Sequence, residues 1–398
     1  MYRKVTADFV GLLKSAIESQ PYQGSNIDWT EVLRLSRFHH VDNLIFEAIS
    51  MLPEDKKPAE KELFRLRKAS MTQVIQDANQ ISEVEGLIAE LEQKNIPAIM
   101  LKGWIMKDLY PRTDLRHRAD TEIFIQSADE EKIHQIILSH DFKTVAYGGK
   151  KDNVYSKESL VTLEMHKNLF MYEEHWNEVI NNKYGEQYIW NRIERLDGYN
   201  YISRMDKEFY YVYMVAHIAK HLKDDGGIGI RAFLDLWIYR KTYADRLDMQ
   251  RMNDDFDSLG LTTFARRAYT LACSWFDGDM IAYPDESYEK FGEYILSCGV
   301  YGNNDNFVAN NEAMRGEEKP NKIGYIFKRA FPAKSSMEKR YPQIKKHPSM
   351  LPLYWVKRLW YSGIYRRDQV KCEIESTKRI DYNKVNEIHE MYKEWGLD

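Results

Sequence analysis

The sequence predicts an α+β protein, predominantly helical, with a small mixed sheet embedded between helical regions. Three observations lead there. Apolar residues from Tyr2 to Lys94 recur at helical spacing, the period shortens to brief apolar or alternating runs over residues 93–170, and helical spacing returns after Asp206. The 398 residues are 43% hydrophobic and 30% charged, enough for two or three domains with sizeable cores, and they exclude collagen-like, low-complexity and disordered classes. The pattern divides into an N-terminal helical region (1–92), an α/β core (93–200) and a second helical region (201–300). A linker and a basic, aromatic-rich C-terminal helical extension (301–398) follow.

In the first region helical segments begin near Asp28 and Pro58, and a long one runs from Ala69 to Lys94. Ile96 to Leu101 is a short apolar run ending in Lys102-Gly103, as in a buried strand followed by a turn. Ala119–Gln126 alternates, with Asp120, Glu122 and Phe124 on one face and Thr121, Ile123 and Ile125 on the other. Ser127 is a good N-cap for a helix over Ala128–Ser139, whose first turn carries Asp129, Glu130 and Glu131. Phe142–Tyr147, Asn153–Ser156 and Leu160–His166 read as further strands. Helices are expected over Lys207–Lys223, Ile230–Tyr243, Met249–Ser258, Thr262–Phe276 and Glu286–Ser297, and Gly302–Pro320 reads as a linker.

The balance of 57 basic and 61 acidic residues, net −4, gives no bulk attraction to nucleic acid. Residues 321–370 differ, with 12 Lys/Arg against two acids and with Tyr354, Trp355, Trp360, Tyr361 and Tyr365 interleaved. Three readings fit that segment: a helix packed on the body, contact with a polyanion or membrane surface, and nucleic-acid binding. Cys273, Cys298 and Cys372 form no CxxC pair, so a disulfide framework is not expected and a cytoplasmic setting is. The N-terminal amphipathic stretch is interrupted by Lys4, Asp8 and Lys14 and lacks an apolar signal core. No apolar run approaches the roughly 18 residues of a transmembrane segment.

The alternating strand sets the Asp120 and Glu122 carboxylates about 7 Å apart on one face. Two acids so placed are either solvated or neutralised, commonly by a divalent cation. Glu164, between Leu163 and Met165, is a third acid in a matching position, and three hard oxygen ligands suit Mg²⁺ or Mn²⁺. His166 lies two residues on, and is expected to hydrogen-bond a ligand rather than to be one. On the helix Lys207–Lys223, Val212, Val215, Ala216, Ala219 and Leu222 form one face, while Tyr210, Tyr213, His217, Lys220 and His221 form a second that reads as a cleft wall. Arg231 and Asp235 stand at i, i+4, the spacing of an intrahelical ion pair.

Leu101-Lys102-Gly103, Tyr110-Pro111, Leu115-Arg116 and Ala119-Asp120-Thr121-Glu122 follow one another in the order of a known pattern. Leu163-Glu164-Met165-His166 and then His217-Ile218-Ala219-Lys220-His221, Gly229-Ile230-Arg231 and Leu234-Asp235 continue it. Over about residues 30–370 the chain resembles uncharacterised bacterial nucleotidyltransferases of the DNA polymerase β-like superfamily. The resemblance implies transfer of a nucleoside monophosphate from an NTP to a hydroxyl by a two-metal, Mg²⁺-dependent in-line mechanism. It implies that Asp120, Glu122 and Glu164 hold the metals, with Glu164 also taking the acceptor proton. Lys102, Gly103 and Arg116 would meet the phosphates, His217, Lys220 and His221 would contact the nucleotide or acceptor, and Arg118, His166, Arg231 and Asp235 would support them. Glu122 stands where the pattern more often has Asp, so a catalytically inactive nucleotide-binding or protein-interaction module is an alternative, and a nucleic-acid-binding protein using the basic extension is another. The acceptor implied is a hydroxyl-bearing small molecule, sugar, protein or RNA.

Overall fold

A computed structural model describes residues 2–148, 152–158, 161–170, 183–300, 302, 327, 330–341, 343–365, 371, 375 and 382–397. Apart from Gly302, the expected linker lies outside these residues, as does Cys372. The chain forms two compact units, Met1–Ile218 with Ile230–Gly292, and Ala219–Gly229 with Glu293–Asp398.

The first unit is helical around one seven-stranded mixed sheet. Its strands are β1 (Ala98–Met100), β2 (Thr121–Ile125), β3 (Lys143–Ala146), β4 (Asn153–Lys157), β5 (Val161–His166), β6 (Ile193–Arg195) and β7 (Ile202–Met205), in the order β3-β4-β5-β2-β1-β7-β6. The pairs β2/β5 and β1/β7 are parallel and the others antiparallel. Successive side chains leave a strand on opposite faces, and the sequence uses that period fully. Ala98, Met100, Ile123, Ile125, Val161, Leu163, Met165 and Ile202 share one core with Val84, Leu87, Ile88 and Leu91 of the helix Glu60–Gln93 and with Ile133, Ile136 and Ile137 of the helix Glu130–Ser139. The residues of opposite parity, Glu122, Phe124, Glu164 and His166, therefore belong to the other face.

Several expected boundaries move. The segments placed at Pro58 and Ala69 are one helix, Glu60–Gln93. Ser127 does not cap a helix: residues Ser127–Asp129 form a 3-10 turn, the α-helix begins at Glu130, and the Ser127 hydroxyl donates instead to Glu186 at 2.8 Å. The hairpin of β6 and β7 has no counterpart in the sequence reading. Its strands are three and four residues long, too short for alternation to register, and β7 gains its place by pairing with β1 about a hundred positions earlier in the chain.

The helices Ile230–Tyr243, Met249–Ser258 and Thr262–Phe276 form with the expected ends. The helix Lys207–Asp224 is buried more completely than its wheel predicts: Tyr210 and Tyr213, assigned to an open wall, are 1% and 3% exposed. Tyrosine can be buried at little cost when its hydroxyl finds an acceptor, and Tyr210 donates to the Lys102 carbonyl at 2.7 Å.

Among the described residues of the second unit, Tyr392 is buried and donates to the Leu222 carbonyl at 2.6 Å, and Trp395, Leu397 and Cys298 are buried as well. No helix among the described residues is long and apolar enough to cross a membrane.

Candidate metal and nucleotide site

The parallel register of β2 and β5 sets Glu122 directly beside Glu164 and Phe124 beside His166. One period of two on each strand thus delivers two carboxylates and an imidazole to the same face. Ligand atoms of Glu122, Glu164 and His166 lie within 4.8 Å of one another, a group that could hold a metal ion. His166 Nε2 is 3.8 Å from Glu122 Oε1 and from Glu164 Oε2, too far for hydrogen bonds. Its other ring nitrogen, Nδ1, is fixed by Asp152 at 2.7 Å, an arrangement that orients a ligating histidine. Asp120, just before β2, is half-buried and stands next to this group without belonging to it.

The donor set passes a second test. Glu122 Oε2 and His166 Nε2 are buried and have no hydrogen-bond partner among the described residues. An orphaned acceptor and ring nitrogen facing one space are what an incoming cation would satisfy. The positive charge in the structure comes from the chain itself: the Lys102 ammonium contacts both Glu122 Oε1 and His217 Nε2. Lys102 reaches them from a backbone φ of +26°, an uncommon conformation for a side-chain-bearing residue.

These charges set the titration behaviour. Burial disfavours the Glu122 carboxylate, but Lys102 and His166 outweigh it and hold its pKa well below the usual range. Burial, then the charges of Asp120 and Glu122, push Glu164 up to about 7. Asp120 is raised by burial and by Glu122. Burial opposes the charged form of His166, yet its bond to Asp152 and the Glu122 carboxylate raise it to about 9.

Gly103 has a concrete reason to be glycine. A Cβ there would lie 2.7 Å from Arg116 Nη1 and 3.0 Å from Arg118 Cγ and Cδ. Both arginines are anchored. Arg116 pairs with Asp235 through Nη2 at 2.7 Å and Nε at 3.2 Å, and the Tyr110 hydroxyl donates to the same carboxylate at 2.7 Å. Arg118 pairs with buried Asp77 of the long helix and lies 5.4 Å from the Trp104 ring centroid. Asp235 thus takes as partner an arginine 119 positions away, where the i, i+4 spacing had pointed to Arg231. Arg231 sits partly buried in the first turn of Ile230–Tyr243.

His217 belongs to the first unit with the cluster it touches through Lys102. Lys220 and His221 belong to the second, where His221 Nδ1 is 2.8 Å from Asp225. Asp152 and Asp77 escaped the sequence reading, and Tyr210, placed on the cleft wall, was read without its bond to the Lys102 carbonyl. None sits in a recognisable motif, and only folding brings them to His166, Arg118 and Lys102.

A family described as uncharacterised nucleotidyltransferase matches residues 25–277, which include every strand of the sheet. The chain belongs to this nucleotidyltransferase family. The match spans Lys102 and Gly103, which open the short helix Lys102–Met106 where a turn was expected, the β2 and β5 acids and the helix carrying His217. Neither the curated proteins nor the solved structures contain a match to the chain. Family membership supports a nucleotidyltransferase with an NTP substrate.

Proposed function

We propose that the protein transfers a nucleoside monophosphate from an NTP to a hydroxyl, in the manner of the polymerase β-like enzymes. The acceptor oxygen forms a bond to the α-phosphorus while the bond to the bridging oxygen breaks, pyrophosphate leaves, and the hydroxyl proton passes to Glu164. Glu122, Glu164 and His166, with Asp120 beside them, would hold the divalent ions, Mg²⁺ or Mn²⁺. When bound, such ions neutralise phosphate charge and favour the attacking oxyanion. The imidazole tilts the set toward Mn²⁺ over a purely carboxylate site. Asp152 keeps the His166 ring turned toward the ligand side. Lys102 exchanges Glu122 for a phosphate oxygen when substrate arrives, and His217 guides its ammonium. Arg116 and Arg118 act by packing against Gly103 at the start of the helix Lys102–Met106.

The observation that carries this reading is the pair of orphaned buried atoms, Glu122 Oε2 and His166 Nε2, in a group of three possible ligands within a nucleotidyltransferase family. The test is pyrophosphate release and transfer of label from each α-labelled NTP with Mg²⁺ or Mn²⁺. The acceptors offered are the protein itself and a protein-free metabolite extract. Transfer lost in Glu122→Ala is expected. NTP binding that is metal-dependent yet never yields pyrophosphate would replace this function with the inactive nucleotide-binding module.

A further inference from the structure

The helix Leu351–Tyr365, in the second unit, has an inverted surface. Tyr354, Trp355 and Arg358 fall on one side of its wheel and are used inside the unit. Trp355 Nε1 donates to the Pro332 carbonyl at 3.0 Å and its ring meets Phe331 edge-on at 5.5 Å. Arg358 Nη1 donates to the Ala330 carbonyl at 3.2 Å, and the Tyr354 hydroxyl to Gln343 at 3.1 Å. The other side carries Leu353, Val356, Leu359 and Trp360 at spacings of three and four, which gather them into one stripe. They are 62%, 63%, 39% and 71% exposed. A helix on a protein surface ordinarily turns its apolar stripe inward; this one turns its polar anchors inward and its apolar stripe out.

Charge indicates what covers the stripe. Exposed Lys357 borders it, exposed Lys345 and Lys346 precede the helix, and the surrounding residues 321–370 hold 12 cations against two acids. A second copy of the chain would bring like charge to like charge. A nucleic acid would meet the cations and the indole but leave three aliphatic side chains without a counterpart. An anionic lipid surface matches both halves, with Trp360 at headgroup depth, Leu353, Val356 and Leu359 below it, and lysines at the phosphates. We propose that Leu351–Tyr365 is a membrane-docking helix that lies along an anionic leaflet without crossing it. At 15 residues it is about 22 Å long, short of a bilayer core of about 30 Å.

Flotation of the full chain with vesicles tests this, using phosphatidylcholine alone and phosphatidylcholine with one third phosphatidylglycerol. Binding to the anionic vesicles only, weakened by salt, is the expected result. Val356→Glu with Trp360→Glu should reduce it at least about tenfold. Lys345→Glu with Lys346→Glu, outside the helix, should reduce it about fivefold per residue. Circular dichroism and melting should not change, since these side chains are exposed. The proposal falls if wild type ignores anionic vesicles at saturating lipid, or if the double glutamate variant still floats. It also falls if that variant's only effect is to dissociate a dimer or to abolish binding of an RNA oligonucleotide. Each of these results leaves the nucleotidyl-transfer reading untouched.

Discussion

Two charged clusters in the first unit are built from similar residues and end in opposite states. At the sheet edge, Arg192 donates to Asp206 at 3.2 Å and to Asp255 at 2.9 Å. Asp255 also accepts from the hydroxyls of Tyr184 at 3.1 Å and Tyr188 at 2.8 Å, and Asp206 from the Phe209 amide at 2.7 Å. Every carboxylate oxygen there has a donor. At Glu122 the same low-exposure setting leaves Oε2 and the neighbouring His166 Nε2 open. A network that satisfies itself has no need of a ligand, whereas one that leaves buried polar atoms open is completed from outside. Charge and burial alone do not separate structure from function here. The state of the last lone pair does.

The comparison breaks most visibly at Asp120. Asp120→Ala should lower NTP turnover about a thousandfold or more, since metal-centred charge stabilisation is worth several kcal/mol. Its melting temperature should hold or rise, because burial and Glu122 already disfavour this charge in the fold. Normal turnover in the variant would remove Asp120 from the site. Arg192→Ala should do the reverse. It strands two buried carboxylates, a loss of about 3–5 kcal/mol in denaturant unfolding, while turnover per folded molecule at low temperature stays near wild type. A variant that melts normally would show the Arg192 network to be ornamental.

A pair of glycines sharpens the same contrast at smaller scale. Gly103→Ala drives a methyl into Arg116 and Arg118, both held by buried acids, and should cost about 1–3 kcal/mol as overpacking. It should also depress turnover by shifting Lys102. At Gly86, exposed in the long helix, a methyl would meet nothing nearer than His140 Cε1 at 3.7 Å. Gly86→Ala should therefore stabilise by up to about 1 kcal/mol through helix propensity. Equal effects in chemical denaturation would contradict the crowding at Gly103.

What the sequence makes legible follows from range. Period two along Thr121–Ile125 and Val161–His166 places acids and histidine on one face, and that much needs only local geometry. The α+β, mostly helical class was legible for the same reason, as were the ends of Ile230–Tyr243. Partners across the chain were not. Helical spacing offered Arg231 to Asp235, but the fold delivers Arg116, a buried guanidinium that meets the carboxylate through two of its nitrogens. Likewise the Gly103 reading, close approach by phosphate, rested on the absence of a side chain; which atoms fill the gap depends on Asp77 and Asp235, on two distant helices.

A third electrostatic setting lies between the two clusters, an excess of cations around a neutral group. His117 hydrogen-bonds Gln73 and stacks edge-on with His40 at 5.5 Å. Burial first, then the charges of Arg231, His40, Arg116 and Arg118, lower its pKa to about 3 from an ordinary 6.5. The folded protein thus refuses a proton that the unfolded chain accepts between pH 6.5 and 3. Protons bound in excess by the unfolded state make stability rise with pH, so the loss begins as pH falls below 6.5 and continues toward 3, by about 1 kcal/mol per pH unit. His117→Gln removes that proton site while keeping a hydrogen-bonding side chain for Gln73. Urea unfolding of both proteins at pH 7.0 and 5.5 should show the variant losing about 1 kcal/mol less than wild type over that interval. If the two lose stability in parallel, His117 is not held neutral by its cationic surroundings.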